Sequence, residues 1–141
     1  MTELQKKDLL EQAKQARKFS YAPYSEYCVG AALLCNDGTV FTGCNIENAA
    51  FGDTVCAERT AIFQAVSKGF QDFTAIAIAG SPKQENISQA SYPCGSCRQV
   101  MREFCNPDQF LVLVADHDDS FHECLLGDLL PRGFGPDNLT D

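Results

Sequence analysis

Two short stretches, Cys56-Ala57-Glu58-Arg59 and Pro93-Cys94-Gly95-Ser96-Cys97-Arg98, lie 38 positions apart and constrain the whole chain. Each stands where a helix is expected to begin, and together they offer three thiols and one carboxylate. Residues two apart on a helix point to nearly opposite sides, so Cys56 and Glu58 share one site only if that site lies off the helix end, beyond the first turn. The same holds for Cys94 and Cys97. A fold that uses both stretches must therefore aim two helix N-termini at one point, where their positive ends favour thiolate over thiol. Three protein ligands with one open position suit a catalytic zinc, whereas a structural zinc is normally closed by four.

A length of 141 residues is that of one domain, spanning residues 1–141, and 45% hydrophobic content is that of a globular chain. The N-terminal Met1-Thr2-Glu3-Leu4-Gln5-Lys6-Lys7-Asp8 has no apolar signal core, and no later run approaches membrane-spanning length. The expectation is a cytoplasmic protein without a membrane partner. A formal charge of −8 with no local basic patch repels a polynucleotide, which argues against nucleic acid as partner and for a small substrate. Eight cysteines would suit a disulfide framework in a secreted chain. Cys28, Cys35, Cys44, Cys105 and Cys124 instead lie in or beside apolar segments, where cysteine acts as a small core hydrophobe.

In chain order, residues 2–20 read as an amphipathic helix, with a Thr2/Gln5 capping box and Leu9, Ala13, Ala16 and Phe19 on one face. The apolar run 28–35 is a strand covered on both faces, and Asn36-Asp37-Gly38 turns it back through 39–44. A polar loop, 45–54, leads into the Cys56 helix, which stops at Gly69. Residues 73–79 form a strand, 80–92 a polar loop, and 94–105 a second helix introduced by a proline. Strands follow at 109–115 and 120–124, separated by the turn Asp116-His117-Asp118-Asp119, with a brief helix at 125–130. The order αββαβαββα predicts an α/β fold, a three-layer sandwich in which a five-stranded mixed sheet carries helices on both faces. Sites in such sheets form where strands deliver loops to helix N-termini, which is where both cysteine stretches fall.

The pattern is similar to the zinc deaminase signature H-x-E followed by P-C-x-x-C, in its all-cysteine form. Over nearly its whole length the chain resembles the homotetrameric cytidine deaminases. The resemblance runs through Tyr21-Ala22-Pro23-Tyr24-Ser25, Val29-Gly30-Ala31-Ala32-Leu33-Leu34, Gly43-Cys44-Asn45-Ile46-Glu47-Asn48-Ala49-Ala50, both cysteine stretches and Leu129-Leu130-Pro131. It implies one Zn²⁺ per subunit on Cys56, Cys94 and Cys97, with Glu58 as proton shuttle. It implies that Asn45 and Glu47 hold the ribose hydroxyls, that Tyr27 and Phe51 line the base, and that Ala57 joins the substrate-binding residues. Phe134 resembles the C-terminal aromatic that a neighbouring subunit lends to the site, so the active sites of a homotetramer would be completed across interfaces. Departures cluster near the C-terminus, at Leu125, Gly127 and Arg132-Gly133.

The implied activity is hydrolytic deamination of cytidine and deoxycytidine to uridine and deoxyuridine, with release of ammonia, in pyrimidine salvage. Attack at C4 of cytosine needs a strong nucleophile, and zinc can lower the pKa of water toward about 7. Three thiolates overcompensate the charge of the ion, and Arg59 is placed to offset them by hydrogen-bonding sulfur. Other readings carry their own signatures. Cys94-Gly95-Ser96-Cys97 alone fits a thioredoxin-like redox pair, which has no use for Cys56 and Glu58. A structural zinc module would recruit a fourth ligand such as His117 or His122. A deaminase of a related aminonucleoside such as blasticidin S would share the cysteine motifs, while the Asn45-Ile46-Glu47-Asn48 segment suits vicinal hydroxyls.

Overall fold

The Thr2 hydroxyl accepts from the Gln5 amide at 3.1 Å, and Gln5 Oε1 accepts in turn from Thr2 N at 2.8 Å. This capping box starts α1, Glu3–Ala16. In the computed structural model, which describes residues 1–140, the helix then tightens into a 3₁₀ turn over Arg17–Phe19. The tighter turn breaks the 3.6-residue phase. Leu9, Leu10, Ala13 and Ala16 are therefore buried, while Phe19, expected on the same face, is 81% exposed.

Five strands follow: β1 Tyr27–Cys35, β2 Val40–Cys44, β3 Phe73–Pro82, β4 Leu111–Ala115 and β5 Phe121–Leu125. They form one sheet in the order β2-β1-β3-β4-β5. Only β3 and β4 run parallel; the other neighbours are antiparallel. The mixed five-stranded sheet is the architecture expected. Among the boundaries that differ, Gly80, Ser81 and Pro82 extend β3 where their composition suggests a loop. Pairing with Val29, Cys28 and Tyr27 of β1 overrides that local preference.

The remaining helices are α2 Ala57–Ser67, α3 Gly95–Phe104 and α4 Leu126–Leu129. Helix α1 covers one face of the sheet through Leu9, Leu10 and Ala13, against Ala32, Ala75, Ala77, Ala79, Leu113 and Ala115. Helices α2, α3 and α4 cover the other, packing Ala61, Ile62, Met101 and Leu126 on Leu33, Ile76, Ile78, Val112 and Val114. Each of the leucine, isoleucine, valine and methionine side chains among these stabilises the fold by about 1.5–3 kcal/mol relative to exposure.

The seat of α2 is set by Gly43. A Cβ there would lie 2.6 Å from Ala61 N and 2.7 Å from Ala57 O, so only glycine lets the first turns of α2 rest directly on β2. That contact fixes the height of the helix N-terminus, and with it Cys56 and Glu58. Among the described residues, no helix is long and apolar enough to cross a membrane.

Candidate active site

Cys56 and Cys94 are the N-cap residues of α2 and α3, both with extended backbone (φ −77°, ψ 157° and φ −67°, ψ 168°). Most helices place Ser, Thr, Asp or Asn here, with the side chain bonded back to the first turn. Neither cysteine side chain caps its helix. Both point instead at a common centre, which Cys97 enters from the first turn of α3.

The three sulfurs lie within 4.8 Å of one another. Cys56 Sγ and Cys94 Sγ are 3.8 Å apart, and Cys94 Sγ and Cys97 Sγ 3.5 Å. All eight cysteines are free thiols. A tetrahedral zinc with bonds of about 2.3 Å spaces its sulfurs by about 3.8 Å, close to the two spacings above, so the donor set fits that ion. His117 and His122 do not complete it. Both are exposed and bonded to Asp116, at 3.1 Å and 2.7 Å.

Electrostatics polarise the cluster. Hydrogen bonding from Cys97 holds the Cys56 thiol far below its usual range, at about 5, with Arg59 and Cys94 adding to the effect against the opposing cost of burial. Cys97, buried and facing the Cys56 charge, is pushed the other way. Arg59 donates from Nη2 to Cys56 Sγ at 3.4 Å, which keeps the guanidinium more firmly protonated. Its Nε is buried without a partner. Glu58, in the first turn of α2, is 4% exposed. Burial pushes its carboxyl up to about 7, and the negative Cys56 adds to the rise. A carboxyl poised near neutrality beside three thiols can both take and return a proton.

Ala57 is fully buried behind the cluster, as the first residue of α2. Asn45 is nearly buried; its Oδ1 accepts from Val29 N at 2.9 Å and its Nδ2 donates to Tyr27 O at 2.8 Å. Glu47 Oε1 accepts from the amides of Tyr24 and Ser25 at 2.9 Å and 3.1 Å. Its Oε2 accepts from Ser25 Oγ at 2.5 Å, and these bonds lower the Glu47 pKa, the Ser25 hydroxyl most of all. Tyr27 points to the α2/α3 side of the sheet, with its hydroxyl 2.5 Å from Ser91 Oγ.

Phe51 and Phe134 are not buried against the thiols of their own chain. Phe51 is 74% exposed and meets Tyr24 edge-on, ring centroids 5.6 Å apart. Phe134 is 56% exposed, and its carbonyl accepts from Gln99 Nε2 at 2.8 Å. Arg98, which reads as an ordinary surface charge, has a local task. Its Nε donates to Pro93 O at 2.7 Å and its Nη1 to Leu129 O at 2.8 Å, tying the peptide before Cys94 to α4. Ser91 is unmarked in the sequence; serine in a loop carries no signal of its distant partner.

Comparison with known proteins agrees with this geometry. The family described as cytidine and deoxycytidylate deaminase zinc-binding region matches residues 3–113. Cytidine deaminase of Sporosarcina psychrophila is 45% identical over 132 residues, 94% of this chain and 93% of that one. The cytidine deaminase of Halalkalibacterium halodurans is 44% identical over 133 residues, 94% and 96% of the two chains. The crystal structure of cytidine deaminase from Burkholderia pseudomallei superimposes with a TM-score of 0.83 at 45% identity, covering 95% of this chain and all of the other. That from Mycobacterium tuberculosis gives 0.76 at 37% identity, covering 96% and 99%. With both cysteine stretches inside the matched region and the sulfurs at zinc-binding spacing, the chain belongs to the family of zinc-dependent cytidine deaminases.

Proposed function

We propose that this deaminase acts on free nucleosides, converting cytidine and deoxycytidine to uridine and deoxyuridine with release of ammonia, as one domain over residues 1–141. The observation that carries the reading is the pairing of a three-thiol cluster at two helix N-termini with a buried carboxyl, Glu58, held near neutrality beside it. Cys56, Cys94 and Cys97 hold one Zn²⁺ per subunit. Bound zinc supplies Lewis acidity, which makes water a competent nucleophile near pH 7. Glu58 takes the proton that water gives up, hands it to N3 of the base so that C4 becomes electrophilic, and serves the departing amino group in the same way. Such proton transfer is typically worth about 10² to 10⁴ in rate. Arg59 and the two helix ends offset the surplus charge of three thiolates.

Asn45 and Glu47 grip the sugar. Each is oriented by bonds to β1 or to the 24–25 turn, and a carboxylate with about four acceptor sites retains room for a hydroxyl beyond the three donors Glu47 already meets. Both substrates carry a 3′-hydroxyl, which fits dual use. Tyr27, Phe51 and Ala57 border the base. Phe134 completes the site of a neighbouring subunit in a homotetramer, a reading supported by its exposure within its own chain and by further uncovered aromatics such as Phe19 and Phe63. Free thiols throughout the described residues support a reducing, cytoplasmic setting, where the reaction serves pyrimidine salvage.

The test is metal analysis together with ammonia release from cytidine, deoxycytidine and blasticidin S. The expected result is one zinc per chain and turnover of the first two. Glu58→Gln should keep the metal and lose nearly all activity. A metal-free protein that is fully active, or turnover of blasticidin S alone, would overturn the reading.

A further inference from the structure

The connection from β3 to α3 delivers Cys94; Ala90 and Ile87 pack against the two cores, but few hydrogen bonds hold it. Residues 86–92 make a single hydrogen bond among the described residues, between the hydroxyls of Ser91 and Tyr27 at 2.5 Å. The meeting takes place over Gly80. A Cβ at that position would lie 2.9 Å from Ser91 Oγ and 3.1 Å from Tyr27 Cε1, so a larger residue on β3 would push the two apart. Tyr27 sits at the hub of further contacts. Its carbonyl accepts from Asn45, and its amide donates to Ser25 Oγ, which in turn bonds Glu47. One residue thus joins the two polar side chains assigned to the sugar with the loop that leads to the metal cluster.

We infer that the Tyr27–Ser91 hydroxyl pair is a positioning latch: it fixes the Tyr27 ring and the 86–92 wall for nucleoside binding, without setting the metal geometry. The separation of roles follows from Arg98. Its bond to Pro93 O, and the helical bond from Arg98 N to Cys94 O at 3.0 Å, anchor the end of the loop from the α3 side. With the latch broken, Cys94 keeps its place while Tyr27 and the loop gain freedom. Loss of interactions felt equally by bound substrate and transition state raises KM and leaves kcat unchanged.

The inference rests on the nucleoside reading above, and one set of measurements separates the two. Tyr27→Phe, Ser91→Ala and the double variant are compared with the parent protein for zinc content, thermal melting, cytidine kinetics and calorimetric binding of uridine. A single neutral hydrogen bond corresponds to a change of about threefold to tenfold. The expected result is a rise of that size in KM and in the uridine Kd for each single variant, with kcat and zinc content unchanged. The double variant should be no worse than either single one, because both remove the same bond. Unchanged KM and uridine binding in Tyr27→Phe, a fall confined to kcat or zinc content, or additive losses in the double variant would overturn the latch. A parent protein that leaves cytidine untouched sinks the nucleoside reading and the latch with it; an active parent beside an unaltered Tyr27→Phe sinks the latch alone.

Discussion

Arg59 reaches the sulfur of Cys56 with Nη2 at 3.4 Å, while its buried Nε meets no partner. A guanidinium placed this way is committed to the thiolate. Replacing it with alanine should leave the fold intact and weaken the metal site. Outer contacts to metal ligands are typically worth about 10- to 100-fold in affinity or activity. Competition with a chromophoric chelator would register the loss for Arg59→Ala; an unchanged zinc affinity together with an unchanged rate would refute the role.

Gly43 governs how closely α2 lies on β2. Alanine there puts a Cβ against the backbone of Ala61 and Ala57, which cannot move aside as a side chain would. Overpacking of this kind costs about 1–3 kcal/mol. Gly43→Ala should melt earlier and bind zinc less tightly, since the displaced helix carries Cys56. A variant with lower melting temperature and unaltered zinc affinity would separate the helix seat from the site.

Chelation makes a different prediction. Once zinc is withdrawn, Cys56 is a thiolate at neutral pH and Cys94 is exposed, so both should be alkylated rapidly by iodoacetamide. Cys105 is buried with its thiol pushed up to about 12, and should stay unmodified while the fold holds. Peptide mapping by mass spectrometry gives the order. Early labelling of Cys105 would mean that metal loss unfolds the domain.

The pH dependence of stability can be tested away from the metal. Asp116 accepts from the His117 amide and from both histidine rings, which lower its pKa to about 2, while His117 is raised. The depressed carboxyl contributes stability above its unfolded value of about 3.9, lost only as pH falls toward 2. The raised histidine contributes below about 6.5, and that part fades as pH climbs through its folded value. Both act together near pH 5. Asp116→Asn should therefore lower the melting temperature more at pH 5 than at pH 8.5, and an equal loss at both would exclude the ion pair as the cause.

Much of this was legible in the chain because the informative contacts are local. The capping box of Thr2 and Gln5 spans three residues, and each cysteine stretch announces its own helix start. The five strands follow from apolar runs separated by recognisable turns, and the mixed sheet from the succession of strands and helices. Misreadings arose where tertiary contacts override local preference. Phe19 left the buried face when the helix tightened, and Gly80-Ser81-Pro82 joined β3 because β1 offered partners. Arg98 and Ser91 were silent for a related reason: their partners, Leu129 and Tyr27, lie 31 and 64 positions away. No spacing rule links an arginine to a distant carbonyl or one hydroxyl to another.

Cysteine at the N-cap of both α2 and α3 has a consequence for how such a chain tolerates heat. A serine or aspartate in either place would satisfy an orphan amide and typically add about 1 kcal/mol, yet would remove a sulfur donor. Two helix starts without a side-chain cap are thus ones its chemistry requires. Heat-hardened variants of this domain should therefore be sought at other positions, where no zinc ligand is lost.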